Sequence, residues 1–259
     1  MAVAASGAPS TVTDAAPHLE CSREARYETG GRKQIEGKEQ VAKVALTKNE
    51  VGRNSRALEA EETRFNILEV ATAEFADKGL SGARIDEIAE RTNSSKRMIY
   101  YYFGGKEGLY RAVLERAYTA VREMDADDRR DHLDPDAALR DVVGATFDYH
   151  NQHPEFVRLV MNENILRGAH VGEIPGIKER NRKVIDHLRG IMARGVAGGQ
   201  FREGIDPVEL HMTISALCFY NVSNRYTFSY GFERDMSSPK ALARRRMSVI
   251  DVIESWCRR

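Results

Sequence analysis

Apolar residues recur at helical spacing from about residue 58 onward. Leu68, Ala71 and Phe75 fall at i, i+3 and i+7 with Ile67 beside them, which predicts one apolar helix face. Glu61 and Glu62 lie near its expected start, where the helix dipole favours anions. Lys78-Gly79 supplies a basic last turn and then a glycine, the pattern of a helix end. Ile85, Ile88, Ala89 and Thr92 mark a second, short helix, followed by Asn93, a residue that tolerates the left-handed backbone of a tight turn. Ser94 or Ser95 can cap a third helix running to Phe103, which Gly104-Gly105 ends. A fourth begins near Lys106 and carries Leu109, Val113, Leu114 and Ala117. Five more are expected over 136–151, 154–168, 174–197, 207–229 and 239–257, each with a proline (135, 154, 175, 207 or 239) near its start. No alternating β pattern intervenes. The fold class is therefore all-α, with about nine helices.

Residues 1–57 have no sustained apolar period. Small and polar residues give way to a mixed-charge stretch containing Gly30, Gly31, Gly37 and Gly52. Such a segment cannot bury enough apolar area to offset its ordering entropy, so a mostly disordered arm is expected, with transient helix around 36–46. Residues 125–135 form an acidic connector. Its opening Asp125-x-Asp127 is shared with calcium loops, but the sixth-position glycine and the closing glutamate are missing, and a solvated linker is the expectation.

Composition narrows the function. The 259 residues hold 39 Lys+Arg and 39 Asp+Glu, a net charge of zero. A neutral total does not exclude a nucleic-acid partner, because screening beyond ~8 Å lets a local basic surface act alone. No run of about 18 apolar residues suggests a membrane span, and the first twenty residues lack a secretory signal pattern. Cys21, Cys218 and Cys257 stand far apart, so neither a disulfide framework nor a zinc-type cysteine pattern is expected, and a cytoplasmic setting follows.

The second and third helices, joined by a turn of about three or four residues, read as a helix-turn-helix whose second helix enters the major groove. That helix is Ser95-Lys96-Arg97-Met98-Ile99-Tyr100-Tyr101-Tyr102-Phe103. Ile99 and Phe103 share a face suited to packing, Arg97, Tyr100 and Tyr101 project to the other side, and Tyr102 falls nearer the buried face. Three consecutive tyrosines cannot all face one core. Arginine can fork onto guanine or a phosphate, and a tyrosine hydroxyl can reach a phosphate oxygen. Arg91, Lys96, Arg97 and Lys106 give the stretch four bases and no acid.

At these residues the chain resembles the TetR family of transcriptional regulators. The resemblance runs from Thr63 to about Tyr118 and includes Ile67-Leu68, Ala71, Phe75, Gly79, Ile85-Asp86-Glu87-Ile88-Ala89, Ser95-Lys96, Ile99-Tyr100-Tyr101-Tyr102-Phe103, Lys106-Glu107 and Leu109-Tyr110. It implies that Ser95, Lys96, Tyr100 and Lys106 hold phosphates, that Arg97, Met98 and Tyr101 meet base edges, and that Tyr102 approaches the backbone. The family's usual threonine at the start of the second helix is replaced here by Ala83-Arg84, with Arg84 able to supply the contact by charge. The usual glycine of the turn is Asn93, and Ser94 stands where an aliphatic is common.

The resemblance also implies three segments: an arm at 1–57, a DNA-binding domain at 58–118, and an effector-binding and dimerisation domain at 119–259. The last two helices, 207–229 and 239–257, are then expected to form a homodimer on a two-fold DNA operator. The final helix carries a stripe of Leu242, Val249, Ile253 and Trp256, which could instead close the chain's own core, and Arg244-Arg245-Arg246 is expected on a solvated face. Effector candidates are Phe147, His150, Val160, Glu163, Arg167, His170, Phe219, Tyr220 and Asn224. Phe156, Val160, Glu163 and Arg167 fall along one line of their helix, though Glu163 and Arg167 could be an ordinary i, i+4 surface pair. The segment 162–168 with His170 is similar to family members tied to catabolism of small aromatic or heteroaromatic acids, which suggests an aromatic acid as effector. No cofactor or metal is expected, since His150 and His153 lack further ligands at matching spacing. No phosphate loop or triad-like grouping points to an enzyme. An effector-independent DNA-binding protein, or an all-α ligand-binding protein or enzyme that lost DNA binding, remains the alternative.

Overall fold

The computed structural model describes residues 48–259. Most of the expected arm, including the transient helix at 36–46, lies outside the described residues. Ten α-helices follow in order: α1 (Lys48–Gly82), α2 (Ile85–Arg91), α3 (Lys96–Phe103), α4 (Lys106–Asp125), α5 (Pro135–Gln152), α6 (Pro154–Ile165), α7 (Ile177–Ala197), α8 (Pro207–Ser223), α9 (Arg225–Gly231) and α10 (Pro239–Cys257). Two 3-10 turns, at Asp128–His132 and Val171–Glu173, precede α5 and α7. Among the described residues, extended pairing is limited to one bridge between Phe201 and Arg258. No described helix is long and apolar enough to cross a membrane.

The helix count exceeds the expected nine because 207–229 is two helices. Asn224 adopts φ −107°, ψ 8°, and its side-chain amide donates to the Ser223 hydroxyl at 2.8 Å. Asparagine's local hydrogen bonding competes with helix continuation at that point. The first helix also starts earlier than expected, at Lys48. Extending a formed helix orders one residue per bond, so the packed stretch after residue 66 can propagate outward without an apolar face. Gly79 takes φ 66° and breaks the helical phase at the glycine the sequence marked. The remaining joints follow the chemistry of their caps. Asp134, Asp206 and Ser238 each accept a bond from an amide in the first turn of α5, α8 and α10, and a proline follows each cap.

Burial is organised around two main cores. The first takes Ile67, Ala71 and Phe75 from α1, Ile88 from α2, Ile99 from α3, and Leu109, Tyr110, Val113 and Leu114 from α4. It also takes Leu159, Ile174 and Ile177 from beyond residue 118. The boundary proposed at 118 therefore falls inside a continuous helix, and the described residues cluster as one compact unit. The second core joins α5, α7, α8 and α10 through Leu139, Val143, Phe147, Leu188, Ile191, Leu210, Ile214, Val249 and Ile253.

Two expectations are corrected here. The acidic connector is only in part a solvated linker: residues 128, 129 and 131–134 are exposed, but a buried arginine anchors it. Asp125 and Arg130 are buried, and Arg130 donates to the carbonyls of Met124 and Asp125 at 2.9 Å while pairing with Asp141 at 2.8 Å. A guanidinium with five donors can satisfy the turn's carbonyls and one carboxylate at once. The arginine triplet is not wholly a solvated face either. Arg246 pairs with Asp148 at 2.9 Å and lies over Gly144, where a Cβ would come within 2.2 Å of its Nη2. The α10 stripe closes this chain's own core: Val249 and Ile253 are buried, Ile250 and Cys257 join them, and Leu242 and Trp256 pack at the edge.

Gly195 on α7 meets the fully buried Phe201 ring, and a Cβ there would fall 2.0 Å from the ring's Cδ2. Gly195→Ala should therefore overpack the second core and lower stability by about 1–3 kcal/mol, read as a lower denaturation midpoint in urea.

Candidate functional site

The recognition helix is set by its two ends. Ser95 precedes α3 and its hydroxyl accepts from the Met98 amide at 3.2 Å. Asn93 takes φ 50°, so the turn between α2 and α3 uses the left-handed residue the sequence offered. Gly104 and Gly105 end α3 with φ 74° and 125°. Between these limits Ile99 is fully buried, Met98, Tyr102 and Phe103 are half-buried, and Arg97 is exposed. Tyr100 and Tyr101 are 56% and 78% exposed, among the more exposed aromatic rings described. Tyr102 sits edge-on between its neighbours, 5.3 Å from the Tyr101 ring and 6.2 Å from the Phe103 ring. The three tyrosines thus divide as helical geometry predicts, two outward and one partly inward.

The basic face is more internally paired than the run of bases implied. Lys96 Nζ lies 2.6 Å from Asp86 Oδ1 across the turn. Lys106 Nζ donates to the Ser81 carbonyl at 3.1 Å, which ties the start of α4 to the end of α1. Arg84 is exposed at the N-terminal side of α2, and its backbone amide donates to Glu74 Oε1 at 3.4 Å. Glu74 itself was missed by the periodicity argument, because it sits on the buried side of α1 as an acid. It is 3% exposed and faces Lys78 at 2.9 Å and Arg91 at 3.5 Å. One carboxylate thus holds the ends of α1 and α2 together, and two cations with a backbone amide offset its desolvation.

The effector candidates do not form one site. His150, Val160 and Phe219 come together in a cavity of about 130 Å3, with Tyr118, Phe156, Thr146, Ser215 and the Arg122–Asp125 pair. The His150 ring stacks on Phe156 with centroids 5.8 Å apart and meets Phe219 edge-on at 6.0 Å. His150 is buried, its Nδ1 has no hydrogen-bond partner, and burial pushes its pKa down to about 4. Phe147 belongs to the second core instead, and Tyr220 lines a separate groove beside α10. Asn224 caps the end of α8. Tyr118, Arg122 and Asp125 were missed because they come from α4, whose pattern carried only packing information.

Glu163, Arg167 and His170 are corrected. Glu163 is not part of a surface pair: it is 2% exposed and accepts from the His170 amide at 2.7 Å. Arg167 lies past the end of α6, exposed, in a left-handed turn at φ 59°, so it no longer shares the line of Phe156 and Val160. Glu163 and His170 pack instead against Tyr110 of α4, whose ring meets His170 edge-on at 5.2 Å. Burial, then the Glu163 charge, raises the Tyr110 pKa. Asn162 beside them donates to the Phe75 carbonyl at 3.1 Å. These contacts form a junction between α6 and the first core, separate from the cavity.

His150 gives a pH signature. The unfolded imidazole takes a proton near pH 6.5, whereas the folded one resists until about 4. Stability from this group is therefore full above about 6.5 and falls as pH drops toward 4, by a total on the order of 3 kcal/mol. His150→Phe, which keeps a ring between Phe156 and Phe219, should flatten that part of the slope of stability against pH, measured by urea unfolding across the window.

The geometry agrees with comparisons to known proteins. Residues 67–113 match the family described as bacterial regulatory proteins, tetR family, and residues 135–253 match a tetracyclin repressor-like C-terminal domain. The chain is 38% identical over 188 residues to the HTH-type transcriptional repressor NicS of Pseudomonas putida, covering 73% of this chain and 89% of that one. It is 36% identical over 143 residues to the HTH-type transcriptional repressor SCO4008 of Streptomyces coelicolor, covering 54% and 70%. A solved transcriptional regulator of Streptomyces coelicolor, SCO4942, superposes with a TM-score of 0.58 at 26% identity, covering 75% of this chain and 98% of that one. With its helix-turn-helix followed by a helical C-terminal half, this chain belongs to the TetR family of transcriptional regulators.

Proposed function

We propose that this regulator is a sequence-specific, operator-binding repressor that acts as a homodimer and is released by a small effector. The observation that carries the DNA reading is the split of α3: Ile99 is fully buried while Arg97, Tyr100 and Tyr101 stand out on the opposite side. In this reading Arg97, Met98 and Tyr101 meet base edges. Ser95, Lys96, Tyr100, Lys106 and Arg84 meet phosphates, and Tyr102 approaches the backbone. Residues 58–118 serve DNA and 119–259 serve effector and partner, with α4 common to both.

Dimerisation through the last helices uses residues other than the expected α10 stripe. Val208 and Met212 on α8, and Met247 and Val252 on α10, are each 45–56% exposed. Their outward faces suit a two-fold pairing of α8 and α10 with their copies.

For the effector, the cavity at His150 is the favoured place. Its volume of about 130 Å3 holds a single ring and not a long chain. A planar aromatic acid fits the lining: its ring against Phe156 and Phe219, a polar atom on His150 Nδ1, and its carboxylate exchanging with Asp125 on Arg122. By linkage, effector and operator then weaken each other reciprocally.

A footprint on the intergenic DNA upstream of the gene should show a protected two-fold site, and single-ring aromatic acids should reduce occupancy. Arg97→Ala should relax base preference by about 1–3 kcal/mol at one position, while Lys106→Ala should weaken all sequences alike and lower the salt slope by about one. Equal affinity for every sequence at physiological salt would sink the specific-regulator reading.

A further inference from the structure

The 3-10 turn after α4 carries Asp128 and Asp131, and residues three apart eclipse one another in such a turn. Both face His187 of α7, so that one ligand atom from each of the three lies within 4.8 Å of the others. His187 Nδ1 and Asp131 Oδ1 are 3.6 Å apart. Two ligands of one tetrahedral ion with bonds of about 2.0–2.2 Å stand about 3.4 Å apart, so this pair already has the required separation. The His187 side chain is only 6% exposed, and its Nε2 is buried without a hydrogen-bond partner. The Nδ1 atom faces Asp131 at 3.6 Å, beyond hydrogen-bond distance, and so is available to an ion.

We propose that Asp128, Asp131 and His187 form a binding site for a divalent transition metal of the zinc class, with water completing the coordination. Two carboxylates and a neutral imidazole balance a dication. The imidazole favours zinc-like ions over calcium or magnesium, which prefer all-oxygen ligands. Arg194 Nη1 now lies 3.6 Å from Asp131, but its Nη2 also donates to the carbonyls of Arg130 and Leu133 at 3.1 and 3.4 Å. It therefore keeps a place when the ion takes the carboxylate. Arg130 is committed to Asp141. The site opens on a polar groove of about 760 Å3, which gives the ion a path from solvent. Bound metal would clamp the turn between α4 and α5 onto α7.

The test uses the full chain, stripped with a chelator and titrated with Zn2+ by calorimetry and with Co2+ by visible absorption. One saturable equivalent at this site is expected, with a raised Tm and a tetrahedral cobalt band. Direct ligands matter at least as much as their outer-shell partners, so His187→Gln and Asp128→Asn should each weaken binding by about tenfold or more and remove the band. Asp128 is exposed, so Asp128→Asn keeps the fold and decides the matter if His187→Gln does not fold. Absence of saturable binding, or full affinity in Asp128→Asn or in folded His187→Gln, overturns the proposal.

Discussion

Ile99 is the fully buried side chain of α3, and the orientation of that helix depends on the apolar contact it makes. The core that receives it is built by α1, α2 and α4, but also by Leu159 of α6 and by Ile174 and Ile177 at the start of α7. The surface that presents Arg97, Tyr100 and Tyr101 therefore rests on residues from both halves of the chain. Disturbing α6 or the start of α7 changes the packing under α3, because interiors at this density have no slack to absorb the shift.

Polar contacts reinforce the same joint. Asn162 bonds the Phe75 carbonyl, Glu163 holds the His170 amide, and His170 stacks edge-on against Tyr110. Arg111 pairs with Glu173 and Arg158 with Asp77 around the rim. The rim pairs are exposed and individually weak. The buried Glu163 is different: Oε1 accepts from the His170 amide while Oε2 is unpaired 3.4 Å from His170 Nδ1, so losing the amide would leave the whole carboxylate unsatisfied. The junction thus has a specific geometry and a cost for leaving it.

The helices and the recognition surface were legible because each followed from local rules. Proline at helix starts, Asn93 in the turn, Ser95 as cap and Gly79 as stop all act within a few residues, and the structure places each as the pattern implied. The three tyrosines could be sorted because helical geometry alone forbids a shared face. What was not legible came from tertiary pairing. Nothing in the pattern distinguished the buried Glu163 from a surface acid at i, i+4 to Arg167. Nor could periodicity show that Arg130 turns inward to its own connector, or that Asp86 reaches Lys96. The cavity was half legible: His150, Val160 and Phe219 were found, but its α4 wall was hidden because apolar spacing reports which residues are buried and not what they are buried against. Part of the zero net charge is met locally, since Lys96 sits beside Asp86 and Arg91 beside Glu74, whereas Lys106 bonds the Ser81 carbonyl.

Helix α4 has a mechanical consequence. Its 20 residues run unbroken from Lys106 beside α3 to Asp125 at the cavity wall, a rod about 30 Å long. Such a rod converts angle into distance. A tilt of about 6° at the cavity end carries the other end by about 3 Å, close to the ~3.4 Å rise of one base step in DNA. In a two-fold assembly both ends move in mirrored senses, so the separation of the two reading heads changes by up to twice that amount. Small displacements at Tyr118 or Arg122 are thus enlarged at the far end of the same helix, beside α3.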